Sequence, residues 1–208
     1  MTRIKLIKSY ARASNGDILH LGCVGGEDFS SPLWLHRHLR VTQDVGCPHR
    51  LVGVDINEER ILTMRSLGYE VYVCDVAKNL GCLSLGHFYL IVVGEIIEHI
   101  SNQAEFLRSC LSLLSDNGTL LISTPNPFGV SFVPWYWLTS REHVGSGHLL
   151  WHTPNTMRNL INTVGAKVER VIHCTYGNDL RRWWALPLSI MEVVSRLRPT
   201  ILYEIKKI

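Results

Sequence analysis

The chain has 208 residues, enough for one well-buried domain and too few for two ordinary ones. Hydrophobic residues make up 46% of it and charged ones 19%, a globular balance that excludes a disordered chain. The net charge of +3 permits anionic partners but is too mild to call for nucleic acid, whose binders carry a strong basic stripe.

Met1–Ser9 alternates basic and apolar residues without a sustained apolar core, so no secretory leader is expected. The first strand is Ile18–Leu21, and it runs straight into Gly22, Gly25 and Gly26. A buried parallel strand ends this way when its backbone must pass close to a ligand, because glycine tolerates unusual φ and close approach. Ser31-Pro32 reads as an N-cap with proline at the first helical position, opening a helix over Leu33–Arg40. A second apolar run, Leu51–Val54, closes on the carboxylate of Asp55. Asn57 then caps a helix that carries early acids and stops at Gly68. Further strands are expected at Glu70–Cys74, Phe88–Val93, Thr119–Thr124, Lys167–Thr175 and Ile201–Lys206. The helices between them are Gln103–Leu114, capped by Ser101 and stopped by Asn117-Gly118, and Pro154–Val164, ended by Gly165.

Strand and helix alternate throughout, and the first five strands are short apolar runs suited to burial on both faces. That predicts an α/β fold, a Rossmann-like doubly wound and mostly parallel sheet in a single domain over 1–208. The segment 126–153 breaks the alternation. It holds Pro134, Trp135, Tyr136, Trp137, His143, His148, Trp151 and His152, and a long irregular connection of this kind reads as a lid or substrate loop. Six cysteines (Cys23, Cys47, Cys74, Cys82, Cys110, Cys174) form no C-x-x-C pair, which fits a reduced, cytoplasmic setting. No window reaches the length of a membrane span; the apolar stretch Ala185–Val194 is interrupted by Pro187, Ser189 and Glu192, leaving only peripheral membrane contact open.

In an open α/β sheet, ligands sit at the carboxyl ends of the strands near the switch in strand order. A glycine-rich first loop and an acid closing the second strand therefore read as a nucleoside site, with Asp55 placed to accept from ribose hydroxyls. A dinucleotide fingerprint would be G-x-G-x-x-G with an acid about 20 residues on. The order Gly22-Cys-Val-Gly-Gly26, with Asp55 beyond a helix and an extra loop, fits that poorly.

Instead, the chain resembles the class I S-adenosylmethionine-dependent methyltransferases over most of its length. His20-Leu-Gly-Cys-Val-Gly-Gly26 looks like that family's first motif, Gly53-Val-Asp55 like the second, and Tyr72-Val-Cys-Asp75-Val76 like the third. Phe88 to His99 looks like the fourth strand and its loop, Asn117 to Asn126 like the fifth, and His152 to Gly165 like the late helix. The resemblance implies a seven-stranded sheet with an antiparallel edge strand and S-adenosyl-L-methionine as cofactor. The implied cofactor contacts are His20, Gly22, Gly26, Asp55, Ile56, Asp75, Val76 and Glu95, with Asp55 on the ribose and Asp75 on the adenine amino group. Two positions depart from the pattern: His20 stands where an acid is usual, and Val24 where glycine is usual.

Methyl transfer to a hydroxyl needs a proton acceptor beside the reacting oxygen. Glu98 and His99, after the fourth strand, supply one source, with His99 preferred as base; the lid histidines His143, His148 and His152 supply another. Glu95 and Glu98 also read as helix-opening acids. Together with His99 they further resemble the metal motif of small-RNA 3′-terminal 2′-O-methyltransferases and some quinone-biosynthesis O-methyltransferases. The expected acceptor is a hydroxyl, or failing that an amine, of a small-molecule or glycan-type substrate. The rivals are a metal-assisted RNA 2′-O-methyltransferase, a noncatalytic S-adenosylmethionine-binding partner and a nicotinamide-dependent oxidoreductase. Arg181-Arg-Trp-Trp184 reads as a solvated helix start with buried indoles or as a phosphate or membrane contact.

Overall fold

The computed structural model describes residues 1–26, 28–44, 49–129, 132–141, 147–175, 196 and 198–208. Seven strands form one sheet: β1 (Ile18–Leu21), β2 (Leu51–Asp55), β3 (Val71–Val73), β4 (Phe88–Gly94), β5 (Leu114–Pro125), β6 (Ala166–Cys174) and β7 (Thr200–Lys207). Their spatial order is β3-β2-β1-β4-β5-β7-β6. The first five run parallel, and β7 lies antiparallel between β5 and β6. The order reverses between β1 and β4, so a crevice opens at their carboxyl ends, where the glycine loop begins.

Alternation along each strand sends side chains to two cores. Leu19, Leu21, Val52, Val54, Ile91, Val93, Leu120 and Ile122 face one way, toward Phe106, Leu107, Cys110, Met157 and Ile161. Ile18, Leu51, Leu90, Val92, Leu121 and Leu202 face the other, toward Ile4, Ile7, Ala11, Leu35 and Leu39. Burial of one such aliphatic side chain stabilises by about 1.5–3 kcal/mol, so the two layers dominate folding. The helices among the described residues are α1 (Arg3–Ala13), α2 (Leu35–Asp44), α3 (Glu58–Ser66), α4 (Val76–Asn79), α5 (Gln103–Leu113), α6 (Phe132–Thr139) and α7 (Pro154–Thr163); α3 packs in a third, smaller cluster with Cys23, Val24, Trp34 and Val71.

One helix was not anticipated, and three local expectations are corrected. The basic N-terminal stretch is helical: Thr2 accepts from the Lys5 N–H, and Ile4, Ile7 and Ala11, spaced i, i+3, i+7, bury one face. Ser31 makes a turn in which its hydroxyl accepts from the Leu33 N–H, and α2 starts later, at Leu35. Asn102, not Ser101, caps α5. Asn117-Gly118 does not stop a helix but lies within β5, where a Cβ on Gly118 would sit 2.7 Å from Leu114 Cδ1. Close packing at an irregular register explains that glycine better than helix termination does.

The segment 126–153 is not wholly irregular, since α6 lies within it. His143, Arg181–Trp184 and the stretch Ala185–Val194 fall outside the described residues. Among the described residues no helix is long and apolar enough to cross a membrane.

Candidate active site

The glycine loop is shaped by φ values of +74° at Gly22 and +61° at Gly25, both in the left-handed region that favours glycine. Its backbone is held from three sides. Trp34 Nε1–H donates to the Cys23 carbonyl (2.8 Å), and Arg60 donates to the Gly25 carbonyl (2.9 Å). One Asp55 oxygen accepts from the Val24 N–H and the other from the Asn57 N–H, both at 3.0 Å. The acid expected to meet a ribose therefore also ties the loop to the start of α3. An ionised carboxylate has about four lone-pair sites, so acceptor capacity remains for a ligand.

Val24 has no positive φ and packs with Cys23, Trp34, Ile61, Met64 and Val71. A β-branched residue is accommodated there because the strained turns fall on its glycine neighbours. A Cβ on Gly22 would lie 2.5 Å from Ile96 Cδ1, whereas one on Gly26 would meet nothing within 4 Å. Gly22 is thus a packing necessity, and Gly26 faces open space. At the next strand end Asp75 caps α4 through the Ala77 N–H (3.1 Å) and pairs with Lys78 (2.9 Å). Ile56 is exposed, and Val76 packs against the core beside it.

The crevice between β1 and β4 holds a pocket of about 110 Å³ lined by Arg3, His20, Gly22, Gly26, Trp34 and Glu95, among others. Arg3 was not anticipated. It is buried, pairs with Glu95 (3.1 Å) and reaches the Ser123 hydroxyl (3.4 Å). Its backbone N–H donates to the Thr175 carbonyl at 2.8 Å, pinning the start of α1 to the end of β6. The signal for it was an arginine on the buried face of an amphipathic helix. Glu95 adopts φ +56°, a strained value for a non-glycine residue, and strain of this kind clusters at functional sites. Burial raises its carboxyl above the ordinary range while Arg3 opposes that rise. A guanidinium and a carboxylate in one small pocket match the two charges of an amino-acid head group.

His20 projects from β1 toward α2, where its Nδ1 lies 3.1 Å from Nδ1 of His36. The rings stack at 12° with centroids 5.3 Å apart, and both side chains are buried. Burial first, then the neighbouring His36 and Arg3, hold His20 well below the usual histidine range. Burial, then Arg40, pushes His36 down to about 3. Both imidazoles are therefore neutral.

Past Glu95 a single 3₁₀ turn, Ile97–His99, carries the second half of the site. Glu98 is buried; one oxygen accepts from the Thr124 hydroxyl (3.1 Å), and Oε1 has no partner among the described residues. Burial, then the nearby Glu95, pushes its carboxyl up to about 8. His99 Nδ1 lies 2.9 Å from the Gly147 carbonyl. A carbonyl only accepts, so Nδ1 carries the proton and Nε2 is left as a base. His148 sits edge-on to His99, with centroids 4.6 Å apart, and burial, then His99, lowers its proton affinity. The Leu149 N–H donates to the Glu98 carbonyl (2.8 Å), strapping the end of the lid segment onto the turn.

One ligand atom from each of Glu98, His99 and His148 lies within 4.8 Å of the others, the spacing of a metal-capable cluster. Glu95, also weighed as a ligand, instead pairs with Arg3 in the pocket. His152 is buried at 2.9 Å from Gln103 Nε2, which also donates to the Ile97 carbonyl. That places it under the turn as a support. Among the described residues, Tyr136 and Trp137 on α6 are 54% and 82% exposed.

A family model described as "Methyltransferase domain" matches residues 3–171. The chain is 30% identical over 173 residues to a "Probable S-adenosylmethionine-dependent methyltransferase" of Mycolicibacterium smegmatis, covering 81% of this chain and 59% of that protein. It is 30% identical over 114 residues to a ubiquinone biosynthesis O-methyltransferase of a Caulobacter species, covering 52% of this chain and 40% of the relative. The chain thus spans less than two thirds of the length of either. Among solved structures it is similar to a SAM-dependent methyltransferase from Archaeoglobus fulgidus, with TM-score 0.62, 16% identity, and 97% of this chain and 94% of that one covered.

Proposed function

Since the chain belongs to the class I S-adenosylmethionine-dependent methyltransferases, we propose that it moves the methyl group of S-adenosylmethionine to a hydroxyl oxygen of a small-molecule acceptor. The observation that carries this reading is His99. Its Nδ1–H is committed to Gly147, and its Nε2 is left as a base four residues beyond Glu95 in the pocket wall and beside Glu98 and His148. The likeness to ubiquinone biosynthesis O-methyltransferases supports oxygen as the acceptor atom, and the mild net charge fits a small molecule better than nucleic acid.

When bound, S-adenosylmethionine supplies a methyl carbon made electrophilic by its sulfonium. Asp55 would accept from its ribose hydroxyls, and Asp75 from its adenine amino group. Arg3 would pair with the carboxylate of its methionine portion, and Glu95 and His20 would accept from its ammonium. His99 Nε2 would take the proton of the acceptor hydroxyl as the oxygen gains the methyl group, leaving a protonated His99, S-adenosylhomocysteine and a methyl ether. Alignment of such an in-line displacement can supply on the order of 7–11 kcal/mol, and the base a further 10²–10⁴-fold in rate, roughly. The strap from Gly147 to Leu150 fixes the base against the turn and so holds that alignment.

A second reading rests on the orphaned Glu98 Oε1. A buried carboxyl with a bare oxygen, next to two imidazoles, fits a divalent cation held by Glu98, His99 and His148. Such a cation would supply Lewis acidity that favours the ionised acceptor hydroxyl.

The test is transfer of isotope-labelled methyl from S-adenosylmethionine to a panel of hydroxylated and amine-bearing small molecules, with and without chelator. Label in methyl ethers is the expected result. Label confined to amines overturns the oxygen assignment, and cofactor binding without any transfer, with or without added divalent metal, makes the protein a noncatalytic binder. Loss of transfer to chelator and its return with added metal would select the second reading over the first.

A further inference from the structure

The buried histidine pair is unexplained by packing. Two polar rings occupy a wall that apolar side chains could fill at lower desolvation cost. Their facing atoms, Nδ1 of each at 3.1 Å, can share only one proton, because both rings are neutral and two N–H groups cannot face one another. Two arrangements exist. If His20 donates, its Nε2 is a bare acceptor and His36 Nε2 carries a proton. If His36 donates, His20 Nε2 carries a proton and His36 Nε2 is bare.

Two observations choose between them. His36 Nε2 is buried without a hydrogen-bond partner among the described residues, and its ring lies among aromatic rings, its centroid 5.4 Å from that of Tyr69 at 57° and 6.1 Å from that of Trp34. An N–H can point at an electron-rich ring, whereas a lone pair against the same ring gains nothing. Independently, His20 lines the pocket shared by Arg3 and Glu95, and its Nε2 lies 3.7 Å from where a Cβ on Gly94 would be. The missing side chain at Gly94 leaves that nitrogen open to a ligand. Arg3 suits the carboxylate of an amino-acid head group, and its ammonium then needs acceptors.

We propose that His36 is a positioning residue: it accepts a hydrogen bond from His20 Nδ1, so that His20 presents a bare Nε2 to the α-ammonium of the bound cofactor. This rests on the cofactor reading given above. It explains how a neutral imidazole serves at a position where a carboxylate is usual. The second ring fixes the first in its accepting tautomer, and Glu95 provides the negative charge.

The protein labelled with ¹⁵N-histidine is read by long-range ¹H–¹⁵N correlation with S-adenosylhomocysteine bound. His20 protonated at Nδ1 and bare at Nε2 is the expected spectrum; protonation at Nε2 overturns the proposal. Calorimetry then compares S-adenosylhomocysteine with its analogue lacking the α-amino group. The wild type should prefer the natural compound by about tenfold, the worth of one hydrogen bond to a charged group. His36→Phe should lower that preference to about threefold, the share left to Glu95, while His36→Gln, whose side-chain carbonyl accepts from Nδ1–H, should keep it. An unchanged preference in His36→Phe overturns the proposal, and should that variant not fold, the wild-type spectrum still decides. A wild type that binds neither compound removes the cofactor reading itself. One that binds both equally well removes only the role given to the histidine pair.

Discussion

Replacing Glu98 with glutamine removes a carboxyl that the fold keeps protonated well above its ordinary range. Burial, followed by the charge of Glu95, moves it from 4.5 to about 8. In the unfolded chain the same group loses its proton near its ordinary value. Between those two points the folded state holds a proton that the unfolded state has shed, so stability falls as pH rises and levels off above the folded value. At about 1.4 kcal/mol per pH unit, the penalty is about 1.4 kcal/mol at pH 5.5 and about 4 kcal/mol at pH 8. Glu98→Gln keeps an acceptor for the Thr124 hydroxyl and carries no such penalty. Its added amide hydrogens have the lone pairs of the nearby imidazoles to meet. Guanidinium unfolding of both proteins at the two pH values should show the variant gaining about 3 kcal/mol on the wild type between pH 5.5 and 8. In a melting experiment on a chain of this size that is about 6–12 °C. A stability difference that does not change with pH would show Glu98 to be ionised in the fold and refute the reasoning.

His99→Ala should lower turnover by about 10²-fold or more while changing S-adenosylhomocysteine affinity little; equal effects on both would give His99 a structural role. Asp55→Ala should weaken S-adenosylhomocysteine binding at least about tenfold by calorimetry, since it removes the tie to Val24 and Asn57 and, on the proposed assignment, the acceptor for the ribose hydroxyls. An unchanged dissociation constant would remove the ribose assignment. Gly22→Ala should destabilise the fold by about 1–3 kcal/mol in denaturant, from its φ of +74° and a Cβ 2.5 Å from Ile96. A variant as stable as the wild type would show that Ile96 yields freely.

Strands β1, β2 and β4 were legible because burial on both faces writes them as largely apolar runs, and β1 matches the expected Ile18–Leu21 residue for residue. The start of β5 was not, since Asn117-Gly118 carries turn chemistry that pairing with β4 and β7 overrides. The first helix was hidden by Arg3, Lys5 and Lys8, whose charges break up the spacing of Ile4, Ile7 and Ala11. In the site, glycine and acid spacing is local, so the loop, Asp55 and Asp75 could be read off directly. Arg3 meets Glu95 across 92 positions of sequence, and His36 meets His20 only once α2 packs on β1; neither contact has a local signature. His148 was named beside His99 from a group of lid histidines, and what brings it there is the fold-back of Gly147 and Leu149 onto the turn.

The position of β7 bears on how the protein is made. It follows β6 in the chain, yet it lies between β5 and β6, and among the described residues β6 pairs with no other strand. A growing chain that has emerged through β6 therefore has an open edge on β5 and a strand with no sheet to join. At ordinary translation speeds of about 5–20 residues per second, the stretch from 175 to 207 takes roughly 2–7 s to follow. Through that interval the quartet β3-β2-β1-β4 and its glycine loop can already be assembled, while the exposed edge of β5 is a surface that chaperones or neighbouring nascent chains could occupy. On that order the sheet would be completed from within, by β7 entering between β5 and β6.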